Sequence, residues 1–189
     1  MKIGIISDTH GSLPAWRAAL NRYFSDAGLI IHCGDIFYHA PRNPLPEGYA
    51  PLALAEALND SPVPLLFARG NCDSAVDESL LRWPVAAPWA WCHWEGKTIL
   101  AWHEGEVRPE AAETRERFRP DLFLTGHTHK ARLWREGATL CLNPGSPSLS
   151  KTADGRPTVG LVDERGVRLM DLDTGAVIAS ASWEPEGKG

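Results

Sequence analysis

The 189-residue sequence predicts an α/β fold, a two-layer β-sandwich of mixed sheets flanked by helices. Two observations support this. The first half alternates short apolar runs with helical segments, as βαβ units do, whereas after residue 125 the helical segments stop and paired strands flank Gly-containing turns. A chain that begins as βαβ units and ends as antiparallel hairpins is consistent with two sheets packed face to face, with helices outside.

The first three predicted strands are short and apolar, and each runs into a polar turn. They span residues 2–7, 29–33 and 64–68. Helices are predicted at residues 13–24, where Pro14 suits a first turn, and at residues 52–59. The segment 36–51 carries four prolines and is predicted to be a structured, non-helical loop.

The second half of the chain reads mainly as hairpins. Strands are predicted at residues 89–94 and 98–102, around a Glu-Gly-Lys turn, and a polar helix at 110–118 precedes a strand at 121–125. Further strands at 131–135, 138–142, 158–162, 167–172 and 176–183 flank turns that contain Gly. Residues 1–183 are interpreted as a single domain and residues 184–189 as a short C-terminal tail.

Composition excludes several classes of function. The formal net charge is −5 and the chain has no basic stripe, which makes binding to bulk nucleic acid unlikely but leaves a small phosphate ester open. The N-terminus enters a strand without signal-peptide anatomy, and no apolar stretch is long enough to span a membrane. The four cysteines form no CxxC pair, so we expect a reduced, cytoplasmic protein.

Seven potential metal ligands follow the predicted strands. Loops at the carboxyl ends of strands in such a sheet converge on one crevice, which is the usual ligand site of α/β folds. Carboxylates, an amide oxygen and imidazoles gathered there suit two divalent cations of the Mn, Fe or Zn type, and so predict a hydrolase site. The seven are Asp8, His10, Asp35, Asn71, His103, His127 and His129.

The order of these motifs along the chain is similar to that of a known protein family. Five motifs follow one another along the chain: Asp8-x-His10, Gly34-Asp35, Gly70-Asn71, His103 and Gly126-His127-x-His129. With these motifs in this order, the chain resembles the calcineurin-like metallophosphoesterases over residues 2–183. Segments 42–51, 69–74 and 143–146 are similar to those of the small bacterial YfcE-type phosphodiesterases. The resemblance implies the metallophosphoesterase fold and two metals, most often Mn²⁺, with Zn²⁺, Fe²⁺ or Ni²⁺ as alternatives.

The resemblance also implies which residues hold which metal. One ion would be held by Asp8, His10 and His129, the other by Asn71, His103 and His127, with Asp35 bridging them. A shared carboxylate holds two cations roughly 3.5–4 Å apart, with a hydroxide between them. The implied reaction is hydrolysis of a small phosphodiester by in-line attack of that hydroxide, with Asp35, Asn71 and Cys72 as the catalytic residues.

Three positions depart from the family pattern. Cys72 stands where many relatives have a histidine that protonates the leaving group, and a thiol lacks the positive charge of an imidazolium. This favours diesters or activated leaving groups, although Cys72 could equally be a buried structural thiol. Glu104 and Gly105 replace a glycine and a histidine. Glu104 either points to solvent, accepts a hydrogen bond from a ligating imidazole or binds the metal directly.

Alternatives remain for the surroundings of the site. His39 and Arg42 are candidate substrate contacts in the 36–51 loop, which could instead form a homo-oligomer contact. His32, inside an apolar strand, is interpreted as a structural histidine. The alternative function is a non-catalytic protein-interaction scaffold of the same fold, as in a eukaryotic retromer subunit that the family includes. A nuclease for polymeric nucleic acid is disfavoured by the acidic charge balance.

Overall fold

Every apolar run predicted as a strand is a strand in the computed structural model, which describes residues 1–184. The predicted tail, residues 184–189, therefore lies outside the described residues except for Glu184. The strands are β1 Ile3–Ile6, β2 Leu29–His32, β3 Leu65–Ala68, β4 Val85–Ala86, β5 Ala90–Trp94, β6 Lys97–Ala101, β7 Leu122–Leu124, β8 Arg132–Glu136, β9 Thr139–Asn143, β10 Thr158–Asp163, β11 Gly166–Asp171 and β12 Val177–Ser182.

Within residues 1–184, four α-helices connect these strands. They are α1 Leu13–Ala19, α2 Pro51–Asn59, α3 Ala75–Glu78 and α4 Ala111–Phe118. The helix predicted over residues 13–24 is α-helical only to Ala19 and continues as a π-helical turn, Leu20–Phe24. The short α3 and the two-residue β4 were not predicted. A capping box of Ser74 and Asp77 starts α3, a signal that the sequence does contain.

Two mixed sheets confirm the predicted sandwich. The first has the order β12-β11-β10-β1-β2-β3-β4, with β1 to β4 parallel and β10 to β12 added as antiparallel hairpins. The second has the order β5-β6-β7-β9-β8, in which β6, β7 and β9 are parallel. The antiparallel pairs include all the hairpins that the Gly-containing turns predict.

Alternation along the strands assigns residues to two layers of core. In β1, Ile3 and Ile5 point into the space between the sheets, where they pack with apolar side chains of β6, β7 and β9. Ile6 faces the other way and packs with Trp16 and Phe24, both fully buried beneath the helical face of the first sheet. Burial of each such large side chain stabilises the fold by about 1.5–3 kcal/mol.

This topology brings the candidate ligands to one edge of the sandwich. Strands β1, β2 and β3 of the first sheet are parallel, and so are β6 and β7 of the second. The polar motifs follow the carboxyl ends of these five strands, so the five loops approach each other across the gap between the sheets. Among the described residues, no helix is long and apolar enough to cross a bilayer.

Candidate metal centre

The ligand loops are built with close backbone contacts that require glycine. A Cβ on Gly70 would lie 2.2 Å from the backbone nitrogen and a side-chain oxygen of Asp35. A Cβ on Gly126 would lie 2.1 Å from Ser7 Oγ and 2.9 Å from Asp8 Oδ2. Because real Cβ atoms do not come this close to other atoms, glycine before the ligand residue is what lets neighbouring loops converge.

Five of the seven predicted ligands have a left-handed backbone. Non-glycine residues rarely adopt positive φ, and conformations of this kind cluster at functional sites, where surrounding structure enforces them. The loops therefore hold the side chains in positions that an unconstrained turn would not give. The φ angles are 55° for Asp8, 46° for His10, 57° for Asp35, 68° for His127 and 58° for His129.

Asp8, His10 and His129 form the first group of ligand atoms. The Nε2 atoms of His10 and His129 are 3.0 Å apart, and Asp8 Oδ1 lies 3.7 Å from His10 Nε2 and 3.3 Å from His129 Nε2. All three side chains are buried. Asp8 Oδ2 accepts the backbone N–H of His127 at 3.1 Å, which leaves Oδ1 directed at the two imidazoles.

Asn71, His103 and His127 form the second group. Asn71 Oδ1 lies 3.2 Å from His103 Nε2 and 2.6 Å from His127 Nδ1. His103 is buried, whereas Asn71 is exposed and His127 is half-buried. The second group thus faces solvent more than the first.

Asp35 lies between the two groups. Its Oδ2 is 3.8 Å from His10 Nε2 in the first group, and its Oδ1 is 3.4 Å from His103 Nε2 in the second. The backbone N–H of Cys72 donates to Oδ1 at 2.8 Å and fixes the carboxylate. One oxygen directed at each group is the arrangement that a bridging carboxylate needs.

Hydrogen bonds to the far side of three rings settle which nitrogen faces the site. In each ring, Nδ1 donates to a backbone carbonyl. His10 donates to Tyr38 O at 2.6 Å, His103 to Cys33 O at 2.7 Å and His129 to Leu149 O at 2.7 Å. Since a carbonyl can only accept, Nδ1 carries the proton and Nε2 presents its lone pair to the site, as in most metal-ligating histidines.

The donor set fits a divalent cation. With neutral rings, the lone pairs of His10 and His129 face each other at 3.0 Å, and those of His103 and Asn71 face each other at 3.2 Å. Asp8 Oδ1 is buried and has no hydrogen-bond partner among the described residues. A cation placed among these atoms removes both repulsions and satisfies the carboxylate. Two clusters, Asp8–His10–His129 and Asp8–Asp35–His103, have ligand atoms close enough to hold an ion.

The pKa values show that the site favours positive charge. Burial alone would raise the pKa of Asp8, but the neighbouring imidazoles of His10, His103 and His129 hold it well below the usual range. Burial likewise opposes protonation of His103, yet the nearby carboxylates of Asp35 and Asp8 raise its pKa to about 9. The same field that attracts a proton attracts a metal ion.

A buried carboxylate missed in the sequence, Asp73, ties two ligand loops together. Its Oδ2 accepts the backbone N–H groups of Asp35 at 3.0 Å and Gly70 at 2.7 Å, and its Oδ1 accepts that of Ile36 at 2.8 Å. The residue is only 9% exposed. Its position two residues after Asn71 was visible in the sequence, but its three partners are set by the packing of β2 beside β3.

His32 and Thr9 form a second tie. The Thr9 hydroxyl donates to Ile36 O, so it accepts from His32 Nε2 at 2.9 Å, while His32 Nδ1 accepts the Gly34 N–H at 3.1 Å. This fixes a neutral tautomer for His32, whose pKa burial lowers to about 3. His32 is thus a structural histidine, as interpreted from the sequence, and it connects the Asp8–His10 loop to the Gly34–Asp35 loop.

The segment 143–149 supports the first group from the other side. The fully buried Ser146 donates to Asp8 O at 2.8 Å and accepts the Leu149 N–H at 2.8 Å, and the Leu149 carbonyl in turn holds His129. Asn143 donates to Gly126 O at 2.8 Å and to Thr128 Oγ1 at 3.0 Å. These contacts fix the backbone on both sides of the first ligand group.

Cys72 lies beside the second group. Its Sγ accepts a hydrogen bond from Asn71 Nδ2 at 3.3 Å, and it is half-buried. Burial, with the nearby charge of Asp35, raises the pKa of the thiol to about 12. Cys72 is therefore a protonated thiol at neutral pH and a weak acid, available to the space in front of the metal ligands.

Glu104 pairs with Arg108 and makes no hydrogen bond to a candidate ligand within the described residues. Both of its carboxylate oxygens accept from Arg108 Nη2, at 2.9 and 2.8 Å. Of the three interpretations of this departure, a solvent-facing ion pair is the one that these contacts support. Gly105 leaves no room for the histidine that other family members have, because a Cβ there would lie 2.5 Å from Phe123.

A cavity of about 550 Å³ opens in front of the ligands. Arg42, a predicted substrate contact, lines it together with Tyr38 and Cys72, and so does Lys151, which was not predicted from the sequence. The His39 ring instead packs between the rings of Tyr38, at 5.0 Å, and Tyr49, at 5.4 Å, and does not line this cavity.

Comparison with known proteins agrees with this geometry. Residues 1–166 match the calcineurin-like phosphoesterase superfamily domain. The chain belongs to this superfamily. The phosphodiesterase YfcE of Escherichia coli strain K12 is 36% identical over 187 residues, covering 98% of this chain and all of the relative. A probable metallophosphoesterase of Methanothermobacter thermautotrophicus is 26% identical, covering 94% of this chain and 95% of the relative.

Solved structures of the superfamily give the same result for the fold. The structure of YfcE, described as a phosphoesterase from E. coli, matches with a TM-score of 0.86 at 34% identity, covering 97% of this chain and 100% of that one. Vps29 of Entamoeba histolytica, solved in complex with Zn²⁺, matches with a TM-score of 0.65 at 18% identity, covering 97% and 100%. At 18% identity, the similarity to Vps29 is evidence for the fold alone.

Proposed function

We propose that the protein is a metal-dependent phosphodiesterase that hydrolyses small phosphodiesters. The observation that carries this is the position of Asp35, with one carboxylate oxygen directed at each of two groups of ligand atoms. The similarity to E. coli phosphodiesterase YfcE over nearly the full length supports the same activity.

The chain provides the ligands for two ions. Asp8, His10 and His129 would hold one, Asn71, His103 and His127 the other, and Asp35 would be shared. Bound there, two divalent cations would supply a nucleophilic water of lowered pKa and neutralise negative charge on the phosphoryl oxygens. The Asn71 amide, exposed at the cavity floor, is placed to orient those oxygens.

The environment of Cys72 bears on the choice of ester. Burial and the charge of Asp35 raise the pKa of the Cys72 thiol, and a neutral thiol helps a departing alkoxide less than an imidazolium would, so leaving groups that require little protonation are favoured. With two divalent cations, the carboxylates of Asp8 and Asp35 and one hydroxide, the formal charge of the centre would be about +1, which the single negative charge of a diester balances. Arg42 on the cavity wall is proposed as a substrate contact, and His39 would act only indirectly, by packing against Tyr38.

Several finer points belong to this proposal. Mn²⁺ is the proposed ion because the resemblance to the YfcE-type phosphodiesterases implies it, and a mixed set of carboxylate, amide and imidazole ligands is compatible with manganese as well as with iron and zinc. Two ions per chain, a cytoplasmic location and a homo-oligomer contact through the 36–51 loop stay predictions. Two exposed side chains of that loop, Tyr38 and Leu45, would suit such a contact.

The test compares hydrolysis of bis-p-nitrophenyl phosphate and p-nitrophenyl phosphate by metal-stripped protein titrated with Mn²⁺. We expect metal-dependent turnover that favours the diester. Asp35→Asn should abolish turnover and lower the number of ions bound per chain, whereas Asp60→Asn, an exposed carboxylate at the end of α2, should leave both unchanged. Full activity of Asp35→Asn would contradict the shared-carboxylate arrangement.

A further inference from the structure

The cavity in front of the metal ligands carries more positive charge than one scissile phosphate requires. Arg42 and Lys151 both line it, and Asp35 is the one carboxylate among the described residues of the lining. Neither cation makes an ion pair within residues 1–184. In a chain with a formal net charge of −5, two exposed cations beside the same cavity are placed to attract an anionic group.

The backbone segments that carry Arg42 and Lys151 are hydrogen-bonded to candidate metal ligands or to residues next to them. The backbone N–H of Lys151 donates to the carbonyl of His129 at 3.0 Å. On the opposite wall, the Tyr38 carbonyl accepts from His10, and Asn43 Nδ2 donates to His39 O at 2.9 Å, which closes the turn that carries Arg42. The fold thus sets how far the backbone of Arg42 and Lys151 lies from the ligands, which keeps both side chains within reach of a bound substrate.

The scissile phosphate cannot account for these two charges. With two divalent cations in place, Asp8 and Asp35 leave the centre net positive, so the monoanionic phosphate of a diester is balanced there. Arg42 and Lys151 lie on the walls of a cavity of about 550 Å³, a volume that takes an additional chemical group beside the phosphate.

We infer that the preferred substrate is a phosphodiester with a second anionic group, a phosphate or a carboxylate, on one of its arms. This inference rests on the proposed function, since it names the substrate class of the same site. Arg42 and Lys151 bind the second anion, and they act on substrate binding more than on the chemical step.

The test uses two substrates that differ by one phosphate. Thymidine 5′-(p-nitrophenyl phosphate) has a single diester charge, and its 3′-phosphorylated form adds about −1.5 to −2 at pH 7. We expect kcat/KM to be about tenfold higher for the 3′-phosphorylated ester, mainly through a lower KM, and the advantage to shrink as salt is added. The measured quantity is the ratio of kcat/KM between the two substrates.

Variants separate recognition of the second anion from a general effect of charge. Arg42→Gln and Lys151→Gln should each reduce the ratio severalfold, and the double variant should bring it close to one. Arg17→Gln removes an exposed, unpaired arginine of α1 outside this cavity and should leave the ratio unchanged. It has the same change in net charge as the other two single variants.

Each failure has a distinct signature. If neither ester is hydrolysed with any divalent ion, the proposed function is wrong. If both are hydrolysed with a wild-type ratio near one, the function stands and the inference is overturned. If Arg42→Gln and Lys151→Gln slow both esters equally, the two cations hold the scissile phosphate itself, and the inference is again overturned.

Discussion

Asp73 is a side chain outside the ligand set on which we expect the metal centre to depend strongly. Its carboxylate accepts three backbone N–H groups from the loops that carry Asp35 and Asn71. A buried N–H left unpaired costs about 1–3 kcal/mol, so Asp73→Ala, with three of them, would cost about 3–9 kcal/mol. Domains of ordinary stability have only about 5–15 kcal/mol in total, so this variant is a poor probe of function.

Asp73→Asn is the informative change. An amide oxygen in the place of Oδ2 still accepts from Asp35 and Gly70, but the amide NH₂ then meets the N–H of Ile36, and one donor is left unpaired. The expected loss of stability is about 1–3 kcal/mol. Because that donor adjoins Asp35, the bridging carboxylate shifts, and we expect Mn²⁺ affinity and turnover to fall about 10–100-fold, as is usual for the partners of ligand loops.

The assay is calorimetric titration of metal-stripped protein with Mn²⁺, run beside hydrolysis of bis-p-nitrophenyl phosphate. Asp171→Asn is the matched control, because Asp171 is also buried and its Oδ1 accepts the N–H groups of Asp173 and Thr174, both at 2.9 Å. The amide oxygen of the variant can take the place of Oδ1 and accept both N–H groups, so Mn²⁺ affinity should be unchanged. Unchanged affinity in Asp73→Asn, or an equal loss in Asp171→Asn, would refute the reasoning.

Three further predictions concern single side chains. Burial lowers the pKa of His32 to about 3, from 6.5, so the folded chain binds fewer protons than the unfolded chain between these values. The contribution of neutral His32 to the free energy of unfolding is complete above pH 6.5 and falls by about 1.4 kcal/mol per pH unit as the pH drops towards 3. Urea unfolding of metal-stripped protein at several pH values should therefore show a weaker pH dependence of stability in His32→Gln than in the wild type. Cys72→His should raise monoester relative to diester hydrolysis, and an unchanged ratio would reduce Cys72 to a packing residue. Glu104→Gln should keep the metal content measured by elemental analysis, because its carboxylate pairs with Arg108; loss of an ion would make Glu104 a ligand.

The strands and the approach of the ligands were predictable because both depend on local patterns. Short apolar runs such as Ile3–Ile6 predict buried parallel strands, and polar residues after the carboxyl ends of such strands must meet. The two-residue β4 leaves no periodic pattern, so it could not be found. How the ligands divide into two groups depends on the packing of one sheet against the other, and only the resemblance supplied it.

Loop conformation limited the prediction of the surroundings. His39 and Arg42 are three residues apart in a proline-rich segment, and nothing in its composition shows that the His39 ring packs against Tyr49 while Arg42 reaches the cavity. Lys151 and Ser146 come to the site from a loop far along the chain, through contacts with His129 and Asp8. Such partners follow from tertiary packing, which a single sequence does not display.

Backbone strain at the ligands argues against the scaffold alternative. Asp8, His10, Asp35, His127 and His129 all have positive φ, at about 1 kcal/mol or more each, and Asp8 Oδ1 is buried without a hydrogen-bond partner in the described part of the chain. A protein that only presented a surface to partners would gain several kcal/mol by relaxing these loops or replacing Asp8. Metal binding would offset this strain, because loops that converge in a conformation unfavourable for the free chain would be favourable once a cation lay among their side chains. The strained backbone and the unpaired carboxylate oxygen therefore fit the proposed metal-dependent enzyme better than a scaffold.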